Sequence, residues 1–248
     1  MTIPKVIHFI YPWTERTREW SLVNTLAVKT AISTYPDHEV IIWTNAPSSV
    51  PMPFVTKRKC ELPMHIGGAE ILWPQYVSDV MRLQILYEHG GIYMDTDMIS
   101  LHPFKPHDDT VLSFCWETAC CNSICNAFMA TPSGNEFIKG WLDRMPPAMK
   151  HPTWAYGGVV VPCEMTKDPL YDPYYNALSH RFFCPLDLSK NWMFDPKLKQ
   201  EAKEIMGHPC AIHIFETFWR DIIKDITSEW IEKNDCLFSE LFTCIDSE

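Results

Sequence analysis

From residue 6 onward, short apolar and β-branched runs alternate with stretches of helical periodicity. Val6–Ile10 reads as a buried strand, residues 22–32 as a helix and residues 39–43 as a second strand. Ser78 is the expected cap of a helix running to about His89, where Gly90-Gly91 supplies the stop. A strand over residues 92–94 follows directly. Further strands are expected over residues 111–115, 124–130 and 211–215, with helices around 134–144 and 218–233. Prolines cluster at 47–53 and 146–152, which reads as ordered surface loops. Such alternation predicts an α/β fold: one domain over residues 1–248, with a central, mostly parallel sheet flanked by helices. In sheets of this type ligands sit at the carboxyl ends of the strands, so side chains just after the strands carry function.

Composition narrows the function classes. The chain has 248 residues with 21 Lys+Arg against 31 Asp+Glu, a net charge of −10. A protein living off phosphate-backbone contacts needs a basic face, so nucleic acid is excluded as a partner. With 46% hydrophobic residues, including 10 Trp, 9 Tyr and 13 Phe, the chain has material for a large core and is not disordered. No apolar run approaches the roughly 18 residues of a membrane span, and the N-terminus lacks the basic and apolar regions of a signal peptide. Ten cysteines are too few for a disulfide scaffold and form no CxxC pair. The cluster Cys115, Cys120, Cys121 and Cys125 has a spacing that matches no common zinc pattern. Free, mostly buried thiols in the cytosol, of a bacterium or a virus-infected cell, are the expectation.

The chemistry concentrates between Ser78 and Asp97. Asp95 and Asp97 lie two apart at the end of an expected strand, where extended backbone would turn both carboxylates to one face. Two hard oxygen ligands suit Mn²⁺ or Mg²⁺, with substrate phosphates completing the shell. On the preceding helix Asp79 and Arg82 are i,i+3 neighbours, placing Arg82 to pair with a carboxylate or reach a phosphate, and Asp79 to accept from a sugar hydroxyl.

An Asp-x-Asp pair alone is common in acidic proteins and reads equally as a solvated loop. Here the whole phrase S-D-x-x-R-x-x-x-L-Y-x-x-G-G-I-Y-x-D-x-D is filled. It resembles the DXD-containing sugar transferases that include initiating mannosyltransferases, capsular-sugar transferases and the catalytic domains of clostridial glucosylating toxins. Ile3-Pro4-Lys5-Val6-Ile7-His8, Trp43-Thr44-Asn45, the Asn126–Pro132 segment (residues 126–132) and His213 followed by Trp219 resemble further family segments. Gly157-Gly158 stands where the family often has Gly-Pro.

This resemblance implies a GT-A fold and a metal-dependent retaining transfer from a nucleotide-diphosphate sugar, UDP-sugar favoured over GDP-mannose, to a glycan or other hydroxyl acceptor. Carried onto this chain, Asp95 and Asp97 would hold Mn²⁺ or Mg²⁺, with His213 a further metal or phosphate ligand. Asp79 and Arg82 would meet the donor sugar and diphosphate. Tyr93 would line the nucleotide site, and Phe9, Ile10 and Tyr11 would cradle the base. Asn45 and Gly157 would border the donor, and Trp219 offers an aromatic face to a sugar or base.

Two other readings compete. A haloacid-dehalogenase-like phosphatase also places D-x-D after an apolar strand, but Ile99 stands where it wants Thr or Val, and no G-D-x-x-x-D follows. A catalytically silent sugar-binding module could use tryptophans such as Trp13, Trp73, Trp116, Trp154 and Trp192, yet the acidic pair and Asp79/Arg82 are intact. His8, on the first strand, reads as a satisfied core histidine, and the apolar positions from Trp230 to Phe242 as a packing face.

Overall fold

The computed structural model describes residues 2–14, 19–117, 123–151, 153 and 155–246, with side chains as far as 243. Its strands are β1 (Val6–Ile10), β2 (Glu39–Thr44), β3 (Thr56–Lys59), β4 (His65–Ile66), β5 (Ala69–Glu70) and β6 (Gly91–Met94). They continue with β7 (Met98–Ser100), β8 (Leu112–Trp116), β9 (Ile124–Thr131), β10 (Tyr175–Leu178) and β11 (Ala211–His213). The helices are α1 (Leu22–Thr34), α2 (Pro74–His89), α3 (Glu136–Ala148) and α4 (Val161–Met165). The remainder are α5 (Lys199–Met206), α6 (Arg220–Ile223), α7 (Ser228–Lys233) and α8 (Leu237–Asp246).

A seven-stranded sheet of order β10-β8-β9-β6-β1-β2-β3 forms the centre. Its pairings are parallel except those of β9, which runs antiparallel to both β6 and β8. The expected mostly parallel α/β sheet is therefore what forms. Strand order reverses at β1: β2 and β3 lie on one side and β6 on the other, making a switch point whose strand ends open into a crevice.

Alternation along the strands divides the core into two layers. Ile7 and Phe9 of β1, with Ile92 and Met94 of β6, pack with α1 residues such as Leu26 and Ala27. Ile10 and Tyr93 face the other layer with Tyr76 and Val80 of α2 and Trp141 of α3. Ser21 caps α1, accepting from the Asn24 backbone N–H at 3.2 Å while the Asn24 side chain accepts from Ser21 N–H at 2.9 Å. Gly91 begins β6 at φ +96°, and a Cβ there would lie 2.7 Å from the Val6 carbonyl, so only glycine lets β6 lie against β1.

Several boundaries differ from the sequence expectation. α2 starts at Pro74, whose fixed φ suits the first helical turn, so Ser78 lies inside the helix and does not cap it. α3 starts after the Asn135 cap and continues through Pro146 and Pro147, which belong to its last turn and not to a loop. The helix expected over 218–233 breaks into α6 and α7, where Thr227 caps the second piece by accepting from Trp230 N–H at 3.1 Å. The strand expected over 211–215 stops at His213 and pairs antiparallel with β7, aligning His213 with Met98. No described helix is long and apolar enough to cross a membrane.

His8 shows how tightly the strand layer is satisfied. It is 1% exposed, its Nδ1 accepts from the Trp43 indole at 3.1 Å and its Nε2 donates to the Gly90 carbonyl at 3.0 Å. That pair of contacts fixes the neutral Nε2–H tautomer, and burial lowers the pKa from 6.5 to about 4. Between these values the unfolded chain binds a proton that the native state refuses. His8 thus favours folding fully above pH 6.5, and its contribution falls away as the pH drops towards 4. Unfolding in urea at stepped pH should show an acid-side loss of up to about 3 kcal/mol from this group. His8→Gln should be less stable at neutral pH and show a flatter decline across that window.

Candidate functional site

Asp79 and Arg82 lie one turn apart on α2 and meet the end of β6 from the same side. The Arg82 Nη1 donates to the Asn126 carbonyl at 2.7 Å and lies 3.1 Å from Asp95 Oδ1. Its Nη2 lies 3.3 Å from Asp79 Oδ1, and the guanidinium carbon sits 4.6 Å from the centre of the Tyr93 ring. Asn126 also donates its side-chain amide to Asp79 at 2.9 Å, and the Tyr93 hydroxyl donates to Asp95 Oδ1. Arg82 is only 5% exposed, so two carboxylates, a carbonyl and an aromatic face replace the water it has lost.

Electrostatics follow from that geometry. Burial raises the Asp79 pKa to about 6 against the pull of Arg82. Burial also raises Asp95, again opposed by Arg82. Desolvation works against the charge on Arg82, yet Asp95, Tyr93 and Asp79 together hold its pKa above the usual value. Asp97 goes the other way: burial is outweighed by His213 and by a backbone N–H, and its pKa is lowered.

The chain after β6 is a tight turn. Met98 N–H returns to the Asp95 carbonyl at 3.0 Å, so the two aspartates converge through a turn and not through the extended backbone expected from sequence. Asp97 then clamps the chain beyond β11. Its carbonyl accepts from Ile214 N–H at 3.0 Å, its Oδ2 from Glu216 N–H at 2.8 Å, and its Oδ1 lies 3.4 Å from His213 Nε2. Between those two backbone contacts Phe215 is held at φ 57°, the one non-glycine residue with positive φ among those described. A bulky residue in that region costs on the order of 1–3 kcal/mol and persists only where neighbours over-determine it. The Phe215 ring packs on His213 with centroids 3.9 Å apart.

One ligand atom each from Asp95, Asp97 and His213 lies within 4.8 Å of the others. Both described contacts of the Asp95 carboxylate use Oδ1. Two carboxylates and an imidazole are a donor set that Mn²⁺ or Mg²⁺ accepts, so the residues fit the expected cation.

This cluster floors a cleft also bordered by Glu117, Asn126, Gly158 and Phe218. A second cleft adjoins it at the end of β1, lined by Ile10, Tyr11 and Tyr93; Gln75, Ser78, Asp95, Thr96 and Glu216 border both. Of the candidates named from sequence, Asp79, Arg82, Asp95, Asp97 and His213 come together in the first cleft, and Ile10, Tyr11 and Tyr93 in the second.

Four candidates fall elsewhere. Phe9 is fully buried in the opposite core layer, because alternation along β1 turns it away from Ile10. Asn45 exchanges hydrogen bonds of 2.7 and 2.8 Å with the Trp13 backbone, bracing the loop after β1. Gly157 is buried with its carbonyl accepting from the Trp141 indole at 2.7 Å, and Gly158 faces the cleft in its place. Trp219 packs against the core beneath α6, while the 60%-exposed Phe218 borders the cleft. Trp154, Cys120 and Cys121 lie outside the described residues.

Sequence reasoning missed Glu117, Gly158, Phe215 and Glu216, and gave Asn126 no role. Asn126 stood in a recognised segment and Gly158 in a paired glycine, which were usable signals. Glu216 carried none, since its place depends on the Asp97 clamp and on the Asn24 amide, 3.1 Å from its carboxylate. Gly158 belongs to the π-helical turn Tyr156–Val160; a Cβ on it would lie 2.6 Å from both Asp79 Oδ2 and Asn126 Nδ2.

An α/β sheet with an acidic turn at its switch point defines a class of fold and site. Comparison with known proteins makes it specific. Residues 23–113 match the family described as "Glycosyltransferase sugar-binding region containing DXD motif". Inositol phosphoceramide mannosyltransferase 3 of Schizosaccharomyces pombe is 31% identical over 100 residues, covering 39% of this chain. The chain spans about a quarter of that relative's length, 24%. Glucan organizing enzyme 1 of Cryptococcus neoformans is 26% identical over 267 residues, 97% of this chain and 70% of the relative. The solved structure of the PaToxG Glycosyltransferase superposes with a TM-score of 0.53 at 16% identity, over 98% of this chain and 88% of that one. The fold is accordingly of the GT-A type.

Arg82→Met should cost about 3–5 kcal/mol in urea unfolding, because it strands the buried Asp79 carboxylate and the partly buried Asp95. Arg82→Lys keeps the charge but loses the planar fork, and should recover part of that loss. Gly158→Ala should destabilise by about 1–3 kcal/mol through overpacking against Asp79 and Asn126. An unchanged unfolding midpoint in either alanine or methionine variant would contradict the packing described.

Proposed function

We propose that residues 1–248 form one glycosyltransferase domain that moves a sugar, with retention of configuration, from a nucleotide-diphosphate donor to a glycan or other hydroxyl acceptor. A UDP-sugar is favoured over GDP-mannose as donor, and a cytosolic setting in a bacterium or virus-infected cell belongs to the same proposal. The observation that carries it is the convergence of Asp79, Arg82, Asp95, Asp97 and His213 on one cleft beside an apolar and aromatic one at the end of β1. The relatives named as a mannosyltransferase and a glycosyltransferase support the reaction class.

The residues divide the work by their chemistry. Ile10, Tyr11 and Tyr93 receive the base and ribose. Asp79, held by Asn126, accepts from donor-sugar hydroxyls, and Arg82 lends positive charge towards the diphosphate. Asp95 and Asp97, with His213, would hold Mn²⁺ or Mg²⁺, which would offset the charge that builds on the leaving β-phosphate. Retention follows from attack on the face the phosphate leaves, with that phosphate taking the acceptor's proton. Arg82 and the acidic cluster are already in place, so little reorganisation accompanies the charge transfer.

Mn²⁺ together with UDP at a hundredfold excess over Kd should raise the melting temperature by about 5–10 °C. Asp97→Asn should abolish the shift, and a panel of nucleotide sugars scored for metal-dependent donor hydrolysis should identify the donor. A shift with free sugar and no metal would favour the sugar-binding module, and a shift with phosphate analogues alone the phosphatase.

A further inference from the structure

Behind His213, on the side away from Asp97, three cysteines meet. Cys115 and Cys125 are register partners across β8 and β9, so both side chains leave the sheet on one face, and a bulge between Phe114 and Cys115 re-aims the first. Cys184 arrives from the segment after the turn His180–Phe182, its N–H held by the His180 carbonyl at 2.7 Å. They are 0%, 3% and 2% exposed, and their sulfur atoms lie within 4.8 Å of one another. Cys184 Sγ is 3.2 Å from Cys125 Sγ, and all three are free thiols. His213 turns its Nδ1 to Cys125 Sγ at 3.8 Å while its Nε2 faces Asp97 at 3.4 Å.

A buried thiol ordinarily acts as a small apolar filler, and such a filler has no need of two further sulfurs beside it. A disulfide would use two of the three and leave the last unexplained. Three sulfurs within reach of one another are a soft donor set of the kind that selects a thiophilic cation.

We propose that Cys115, Cys125 and Cys184 form a second metal site, structural in role, for a thiophilic divalent cation such as Zn²⁺. It differs in kind from the oxygen-rich group at Asp95 and Asp97, since soft thiolates and hard carboxylates sort different ions. Each thiol that ligates gives up its proton. The site ties residue 184 to β8 and β9, beside the Nδ1 edge of His213. The inference goes beyond the transferase reading and holds whether or not the cleft transfers a sugar.

Co²⁺ is the probe, applied to the full chain after removal of bound metal under reducing conditions. Thiolate ligation should give sulfur-to-cobalt charge transfer in the near ultraviolet and intense tetrahedral visible bands. Metal analysis of the protein as purified should find about one Zn²⁺ per chain. Cys184→Ser should lose the charge-transfer band, whereas Cys60→Ser, a half-buried cysteine outside the cluster, should keep it. Asp95→Asn should keep the band while losing the thermal shift with Mn²⁺ and UDP. A folded native chain that binds Co²⁺ without the charge-transfer band would overturn the proposal, as would recovery of Cys125 and Cys184 as a disulfide-linked peptide. An intact band with no nucleotide shift in the native chain would instead count against the transferase reading alone.

Discussion

A guanidinium with only 5% of its surface exposed is the constraint around which this protein is arranged. An unpaired charge at that depth would cost several kcal/mol, so Arg82 obliges its surroundings to supply acceptors. Asp79 comes from its own helix, Asp95 from the turn after β6, the Asn126 carbonyl from β9 and a ring face from Tyr93. Three separate elements are thereby pinned to one side chain. The same arrangement leaves the floor of the cleft lined with carboxylates whose charges are only partly offset.

A second constraint closes the site from the far end of the chain. Asp97 binds the backbone on both sides of Phe215 and the ring of His213, so the turn after β6 and the exit of β11 form one unit. Asn24 of α1 adds to it, donating to the Thr96 carbonyl at 3.0 Å and to the Glu216 carboxylate at 3.1 Å. The left-handed Phe215 is the local consequence. Residues 119 positions apart in sequence are thus coupled through a single carboxylate, which explains why a conformation unfavourable for an aromatic residue is kept.

The net charge of −10 takes on a particular meaning beside this geometry. An acidic protein repels an anionic nucleotide diphosphate unless the local field is reversed. Arg82 is a buried cation beside the acidic turn, and it is already shared between Asp79 and Asp95. A divalent cation on the aspartates would supply the missing positive charge at the place where the phosphates must lie. Acidic composition and an anionic ligand are then compatible, and metal dependence is what reconciles them.

Much of this was legible in the order of residues. The strand starting at Val6, the helix starting at Leu22 and the glycine pair that ends α2 follow from periodicity and backbone preference, which are local properties. Asp79, Arg82, Asp95 and Asp97 were readable as a group because α2, two glycines and one short strand keep them within twenty residues of one another. Tertiary structure decided the rest. Phe9 and Ile10 are neighbours in sequence, yet strand alternation sends them to opposite core layers. Gly157 and Gly158 differ only in which one meets Asp79 and Asn126. Cys184 and His213 reach Cys115, Cys125 and Asp97 through the pairing of β11 with β7 and the packing around it, and a three-residue strand carries too little local pattern to announce its partner. Local chemistry follows from the sequence of neighbours; the company a side chain keeps across the fold follows from burial and pairing between segments that sequence order holds apart.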